Sequence, residues 1–131
     1  MSKLLSICVP TYNRADLLPF ALESIKKNLT SKELVEVVIS DNGSPDDTKK
    51  VVDSFKVQIP NLRYHRNSEN IGPVKNVRNV IEMAAGKYVW IFSDDDIVAD
   101  GAIAYLLDFL SNEPEVAYAF YTREVVDRDL K

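Results

Sequence analysis

The apolar positions of this chain gather in short runs, unbroken at 88–92 and more polar at 61–66, separated by stretches in which they recur every three or four residues. The runs, at residues 4–9, 35–40, 61–66, 88–92 and 116–121, predict five strands. The spaced stretches predict helices. Leu18, Leu22, Ile25 and Leu29 form one apolar face, with Asp16 as the N-cap and Pro19 in the first turn. Val51, Val52 and Phe55 form a second, opened by Ser44 as N-cap, Pro45 at the first helical position and an acid at the third. Pro73 opens a third helix with Val74, Val77, Ile81 and Ala84 along one side, and Gly86 ends it. Asp100 caps a fourth, running from Gly101 towards Asn112 with Ile103, Leu106, Leu107 and Leu110 as its apolar positions.

Strands alternating with helices make this an α/β chain with a mainly parallel sheet flanked by helices. Crossovers of one hand then gather the loops that follow the strands on a single edge. Those loops hold residues 11–14, 41–44, 67–72 and 93–96, polar positions with no core duty. The run at 88–92 reads as a strand buried on both faces, and Asp94, Asp95 and Asp96 follow it almost at once. Three adjacent carboxylates repel one another unless a cation lies between them. Two readings stand: a divalent metal carrying a phosphorylated ligand, or an acidic loop that is merely solvated.

Composition narrows the classes. At 131 residues the chain suits a single domain, spanning 1–131, with a real core. A net charge of −4 disfavours a general nucleic-acid binder, but not a phosphate ligand whose charge a metal offsets. No apolar run reaches the length of a membrane span, and the first ten residues do not make a signal peptide. The expected compartment is the cytoplasm. The single cysteine, Cys8, excludes an intramolecular disulfide and reads as a small core residue. His65, the only histidine, has no cysteine or second histidine beside it, and Trp90 and Phe92 read as packing residues. The first strand leads into Pro10-Thr11-Tyr12-Asn13 rather than a Gly-x-Gly-x-x-Gly turn, which disfavours a dinucleotide fold.

Five segments, in order, carry a resemblance: residues 9–14, Ser40-Asp41-Asn42-Gly43-Ser44 with Asp47-Thr48, Asn70-Ile71-Gly72, residues 85–88, and Ser93-Asp94-Asp95-Asp96. Together they resemble the nucleotide-binding half of family 2 glycosyltransferases, which have the Rossmann-like A-type glycosyltransferase fold. The resemblance implies that Pro10, Thr11, Tyr12 and Asn13 line a base and ribose pocket. It gives Asp41 the role of accepting from the base, commonly uracil N3–H, and places Asn70 and Arg78 near the donor. Asp94 falls near the ribose hydroxyls, Asp95 at the metal position of an Asp-x-Asp motif, and Asp96 in its support, for Mn²⁺ or Mg²⁺. Two departures stand out. Asn76-Val77-Arg78-Asn79 replaces the Ala-Arg-Asn run of many relatives, and Ser93 replaces the first acid.

The activity implied is transfer of a sugar, with inversion, from a nucleoside-diphosphate donor, a UDP-sugar, to a glycan or lipid-linked acceptor in polysaccharide biosynthesis. Such a full-length protein associates peripherally with the cytoplasmic face of a membrane. The general base that inversion needs is expected beyond residue 131, in an acceptor-binding part that this chain stops short of. The alternative is a non-catalytic nucleotide- or metal-binding module, or a donor-binding fragment that depends on that part.

Overall fold

A computed structural model describes residues 2–127 and 129–131. Four parallel strands, β1 (Leu5–Thr11), β2 (Val35–Asp41), β3 (Leu62–Arg66) and β4 (Tyr88–Ile91), form one sheet in the order β3-β2-β1-β4. Four helices alternate with them: α1 (Leu18–Asn28), α2 (Thr48–Lys56), α3 (Pro73–Met83) and α4 (Ala102–Asn112).

Period-two alternation divides the sheet into two faces. Leu5, Ile7 and Val9 of β1, with Val35, Val37 and Ile39 of β2, point into a core closed by α1, α2 and α4. Leu18, Leu22 and Ile25 of α1, Val52 and Phe55 of α2, and Ile103, Leu107 and Leu110 of α4 supply its other wall. Cys8 and Val38 point the other way, onto Val80 of α3, in a smaller cluster. Burial and the nearby Glu36 charge push the Cys8 thiol up to about 12, so it is an inert core group.

Several expectations are corrected. The strand after Gly86 is not buried on both faces: β4 lies at the edge of the sheet, paired only with β1. Val89 and Ile91 are each 39% exposed, because α3 covers β1 and β2 but leaves β4 open on that face. Residues 116–121 form no strand. Among the described residues no ladder partner meets them; Val116 packs on the edge of the core and 117–121 run exposed, tethered by Lys87 Nζ and Tyr88 Oη to the Pro114 carbonyl and by Trp90 Nε1 to Tyr121 Oη. The buried face of α3 is Asn76 and Val80, not the stripe of Val74, Val77 and Ile81, since Asn76 is held in a polar network that sets the helix's rotation.

The caps differ as well. Leu17 precedes α1 with no side-chain cap, and the Arg14 carbonyl accepts from the Leu17 and Leu18 amides. Gly101, at φ 79°, precedes α4, while Asp100 pairs instead with Lys27 at 3.0 Å. Helix α2 starts at Thr48, so Ser44 is not its cap. In β1, Pro10 lies within the strand, past Cys8, where pairing with β4 has ended and a missing N–H costs little.

At the end of the sheet where the strands begin, buried Glu36 joins three elements. Its Oε1 accepts from Ser6 Oγ (2.6 Å) and the Ala85 amide (2.7 Å), and its Oε2 from Arg63 Nη1 (3.1 Å). The chain passes so close here that a Cβ on Gly86 would lie 2.7 Å from the Ser6 nitrogen. Burial works against ionisation of Glu36, but the hydrogen bonds from Ser6, Ala85 and Arg63 outweigh it and hold its pKa below the ordinary value. A depressed folded-state pKa adds stability above the unfolded value, about 4.3, and that stability is lost as pH falls through the folded one. Denaturant titrations from pH 7 to pH 3 will therefore show wild type losing stability across the acid range. E36Q will be less stable by about 2 kcal/mol at neutral pH, with a flatter acid limb.

Candidate functional site

The chain leaves β1 for β2 and β3 on one side, then returns to place β4 on the other. The point where strand order reverses, outside the carboxyl ends of β1 and β4, is where open parallel sheets offer a crevice. Thr11 ends β1 there, and its hydroxyl donates to Asp94 Oδ2 at 2.8 Å, joining residues 83 apart in sequence. Arg14 Nε lies 3.7 Å from the other Asp94 oxygen. Burial raises the Asp94 pKa, aided by the Asp95 charge and opposed by Thr11, Arg14 and the Tyr12 amide.

The acidic loop is pinned at both ends. The Phe92 amide donates to the Cys8 carbonyl (2.8 Å), and the Val98 amide to Ser24 Oγ (2.9 Å), with both Phe92 and Val98 in the core. Between them a turn closes from the Asp96 amide to the Ser93 carbonyl at 3.2 Å. Asp95 stands exposed at its tip, with one oxygen accepting from Ser93 Oγ, and Asp96 is half-buried. Ser93, in place of an acid, thus orients Asp95 rather than adding charge.

The loop after β1 is clamped from the β2–α2 connection. Three successive amides donate across the gap: Asn13 to Ser44 Oγ (2.8 Å), Arg14 to Thr48 Oγ1 (3.3 Å) and Ala15 to Asp46 Oδ2 (2.9 Å). Asn13 takes φ 56°, a left-handed conformation that asparagine tolerates. Tyr12 is left exposed at the rim. Asp46 Oδ1 also accepts from the amide and hydroxyl of Thr48 (3.0 and 2.5 Å). Burial opposes its ionisation, and these hydrogen bonds prevail to hold its pKa low. Asp46, not Asp47, is the acid of this segment with structural work; Asp47 is exposed and pairs with Lys50.

Asp41 sits beside Thr11 in register, but its carboxylate is fully buried, at 0% exposure. Oδ1 accepts from the Ser44 amide (2.9 Å) and hydroxyl (2.6 Å), and Oδ2 from Tyr64 Oη (2.6 Å). Burial and this bond to Asp41 raise the Tyr64 pKa. These bonds also make Asp41 shape the turn that carries Ser44 and Gly43. Gly43, at φ 77°, lets that turn pass against residue 69, whose carbonyl carbon a Cβ would meet at 3.0 Å.

An amide network links the ends of β2 and β3 to α3. Asn42 Oδ1 accepts from Asn67 Nδ2 (3.0 Å) and the Ile71 amide (3.0 Å), while its Nδ2 donates to Asn70 Oδ1 (2.9 Å). Asn76 Oδ1 accepts from Ser40 Oγ (2.8 Å) and Asn67 Nδ2 (3.1 Å). Asn70 therefore ties its loop to Asn42, and also accepts from the Gly72 amide at 2.9 Å. Arg78 does not join the other site residues: it pairs with Glu82 at 2.6 Å on the exposed face of α3. Asparagines recurring after strands, with no core duty, are the signal that marks this network in the sequence.

The rim is open rather than a closed cavity. Two hollows lie elsewhere, one at the opposite edge beside Lys3, Lys87 and Pro114, the other beside His65, Asn79 and Glu82. Among the described residues no three metal-ligating side chains converge. The donors at hand are the Asp95 and Asp96 carboxylates. They fit a hard cation such as Mg²⁺ or Mn²⁺, which takes one or two carboxylates and completes its shell with phosphate oxygens and water. They do not form an all-protein cage.

The model of the family described as glycosyl transferase family 2 matches residues 6–131. The chain is 36% identical over 115 residues to abequosyltransferase RfbV of Salmonella typhimurium, covering 86% of this chain and 34% of the relative. It is 38% identical over 104 residues to a GalNAc(5)-diNAcBac-PP-undecaprenol beta-1,3-glucosyltransferase of Campylobacter jejuni, covering 79% and 33%. The chain thus spans about a third of the length of these relatives. Among solved structures, S. aureus TarS in complex with UDP-GlcNAc superposes with a TM-score of 0.79 at 27% identity, over 85% of this chain and 32% of that one.

The clamp makes a direct prediction. D46A strips the acceptor from two amides and a hydroxyl and will destabilise the domain by about 2 kcal/mol. In amide hydrogen exchange, Ala15 and its neighbours in the β1 loop will lose protection before the core strands do.

Proposed function

The chain belongs to glycosyltransferase family 2, with the Rossmann-like A-type fold, and on that premise we propose that it is the donor-binding part of a sugar transferase of glycan biosynthesis. The ligand is a nucleoside diphosphate sugar, UDP-linked, seated at the switch point between β1 and β4. The observation that carries this reading is the Thr11–Asp94 hydrogen bond, which brings the β1 loop and the acidic turn to one rim. That TarS was solved with UDP-GlcNAc supports the ligand class.

Roles follow from what each side chain leaves free. Tyr12, exposed at the rim beside Pro10 and Asn13, offers a ring for a base to stack on. Asp94, close to the Thr11 hydroxyl, faces the ribose. Asp95 and Asp96 would hold Mn²⁺ or Mg²⁺, which would supply positive charge to offset that of the departing diphosphate. Asp41, Asn42 and Asn70 position the loops around the ligand.

In the full-length protein an acceptor hydroxyl attacks the anomeric carbon as the bond to the diphosphate breaks, inverting that centre, and the hydroxyl proton passes to a general base. That base is proposed to lie in the remainder of the full-length protein rather than at Glu113 or Glu115. Glu113 and Glu115 flank Pro114, which Lys87 and Tyr88 tie to the opposite edge of the sheet. This favours a chain that binds donor without turning it over alone. The name of the Campylobacter relative supports a lipid-linked acceptor for the whole protein. No helix among the described residues is long and apolar enough to cross a membrane.

Calorimetric titration with UDP, GDP and dTDP, with and without Mn²⁺, tests the reading. UDP will bind best, Mn²⁺ will strengthen it, and D95N will weaken the metal-dependent binding by more than tenfold, about 1.4 kcal/mol. A solvated acidic loop predicts identical titrations for wild type and D95N.

A further inference from the structure

Arg14 is the cation that faces the acidic turn, and nothing assigned so far uses it. Its backbone is held on every side: the amide on Thr48 Oγ1, the carbonyl on the Leu17 and Leu18 amides, and the next amide on Asp46. Its side chain is 46% exposed, and Nε sits 3.7 Å from Asp94 Oδ1, too far for a hydrogen bond. Among the described residues the guanidinium donates no hydrogen bond, so its donors are open to solvent. Other arginines near this end of the sheet are differently placed: Arg66 donates to the Ser44 carbonyl at 2.9 Å, and Arg78 pairs with Glu82.

A diphosphate brought to three aspartates in a domain of net charge −4 meets strong repulsion. A metal on Asp95 and Asp96 offsets part of it, but Asp94 remains. Resting on the donor-site reading above, we propose that Arg14 is a further donor-binding residue: a mobile guanidinium on a fixed backbone that neutralises Asp94 in the empty site and turns to the diphosphate when Asp94 is taken by ribose hydroxyls. The loose 3.7 Å contact is what such an exchange requires, since a tight bidentate pair would resist it. A planar fork with five donors matches phosphate oxygens better than a point charge does. It follows that part of the affinity for a nucleoside diphosphate is independent of metal.

Titration of UDP and uridine in chelator, by calorimetry or NMR, separates this from a structural role. Wild type will bind UDP more tightly than uridine without metal. R14Q will weaken UDP by about tenfold and leave uridine within about twofold, while R14K will recover part of the UDP affinity. K75Q, which removes an exposed charge from α3, will change neither. Equal losses for UDP and uridine in R14Q would mean that Arg14 only holds Asp94 and its loop, and an unchanged UDP affinity would remove it from the site; either overturns the proposal alone. If wild type binds neither ligand, with or without Mn²⁺, the donor-site reading falls and this one with it. Should R14Q fail to fold, R14K carries the test: a loss of about threefold for UDP and none for uridine supports the contact, and equal effects on both refute it.

Discussion

A carboxylate taken out of water must be given hydrogen-bond donors, or the fold bears the cost of an unpaired charge, several kcal/mol for a deeply buried one. That constraint sets the course of the loops in this domain. Glu36 gathers Ser6, Arg63 and the Ala85 amide where the strands begin. Asp41 gathers Ser44 and Tyr64 where they end, and Asp46 takes Thr48 and the Ala15 amide. Each acid ties a loop to an element far away in sequence. Among the described residues no buried side-chain nitrogen or oxygen lacks a partner.

This explains why the acids group by chemistry rather than by motif. The segment from Ser40 to Thr48 looks like a ligand-binding stretch, yet most of its polar atoms serve the protein. Ser44 accepts from Asn13 and donates to Asp41, and Thr48 accepts from Arg14 and donates to Asp46. The β1 loop is therefore rigid before any ligand arrives. A site whose groups are already placed avoids ordering them on binding, which is a general source of affinity.

The fold was largely legible because hydrophobic period is set by local geometry: β1, β2 and the buried stripes of α1 and α4 are direct readouts of it. What failed depended on partners. The run at 88–92 is as apolar as a central strand, but strand order, which periodicity does not encode, put β4 at an edge. Residues 116–121 have the composition of a strand and no ladder to join. On α3, the valine and isoleucine stripe lost to Asn76, whose bonds to Ser40 and Asn67 outweigh an apolar count. At the site, convergence of the loops after β1 and β4 was readable from topology rules, whereas Asp41's burial was not, because it depends on Tyr64 from a neighbouring strand. Arg14 was visible as a residue of the first loop, but only proximity to Asp94 makes its charge meaningful.

The degree to which the protein already satisfies an acid separates scaffold from ligand contact. Glu36 and Asp41 are buried and hydrogen-bonded at both oxygens by the protein itself. Asp94 is intermediate: Thr11 serves one oxygen well, Arg14 serves the other at a distance, and burial raises its pKa. Asp95 is exposed, with Ser93 as its partner on one oxygen. Satisfaction thus falls from the sheet outward to the turn's tip, and incoming positive charge gains most where the protein supplies least. That gradient, rather than the presence of three aspartates in a row, is what supports the proposed cation site at the tip of this turn.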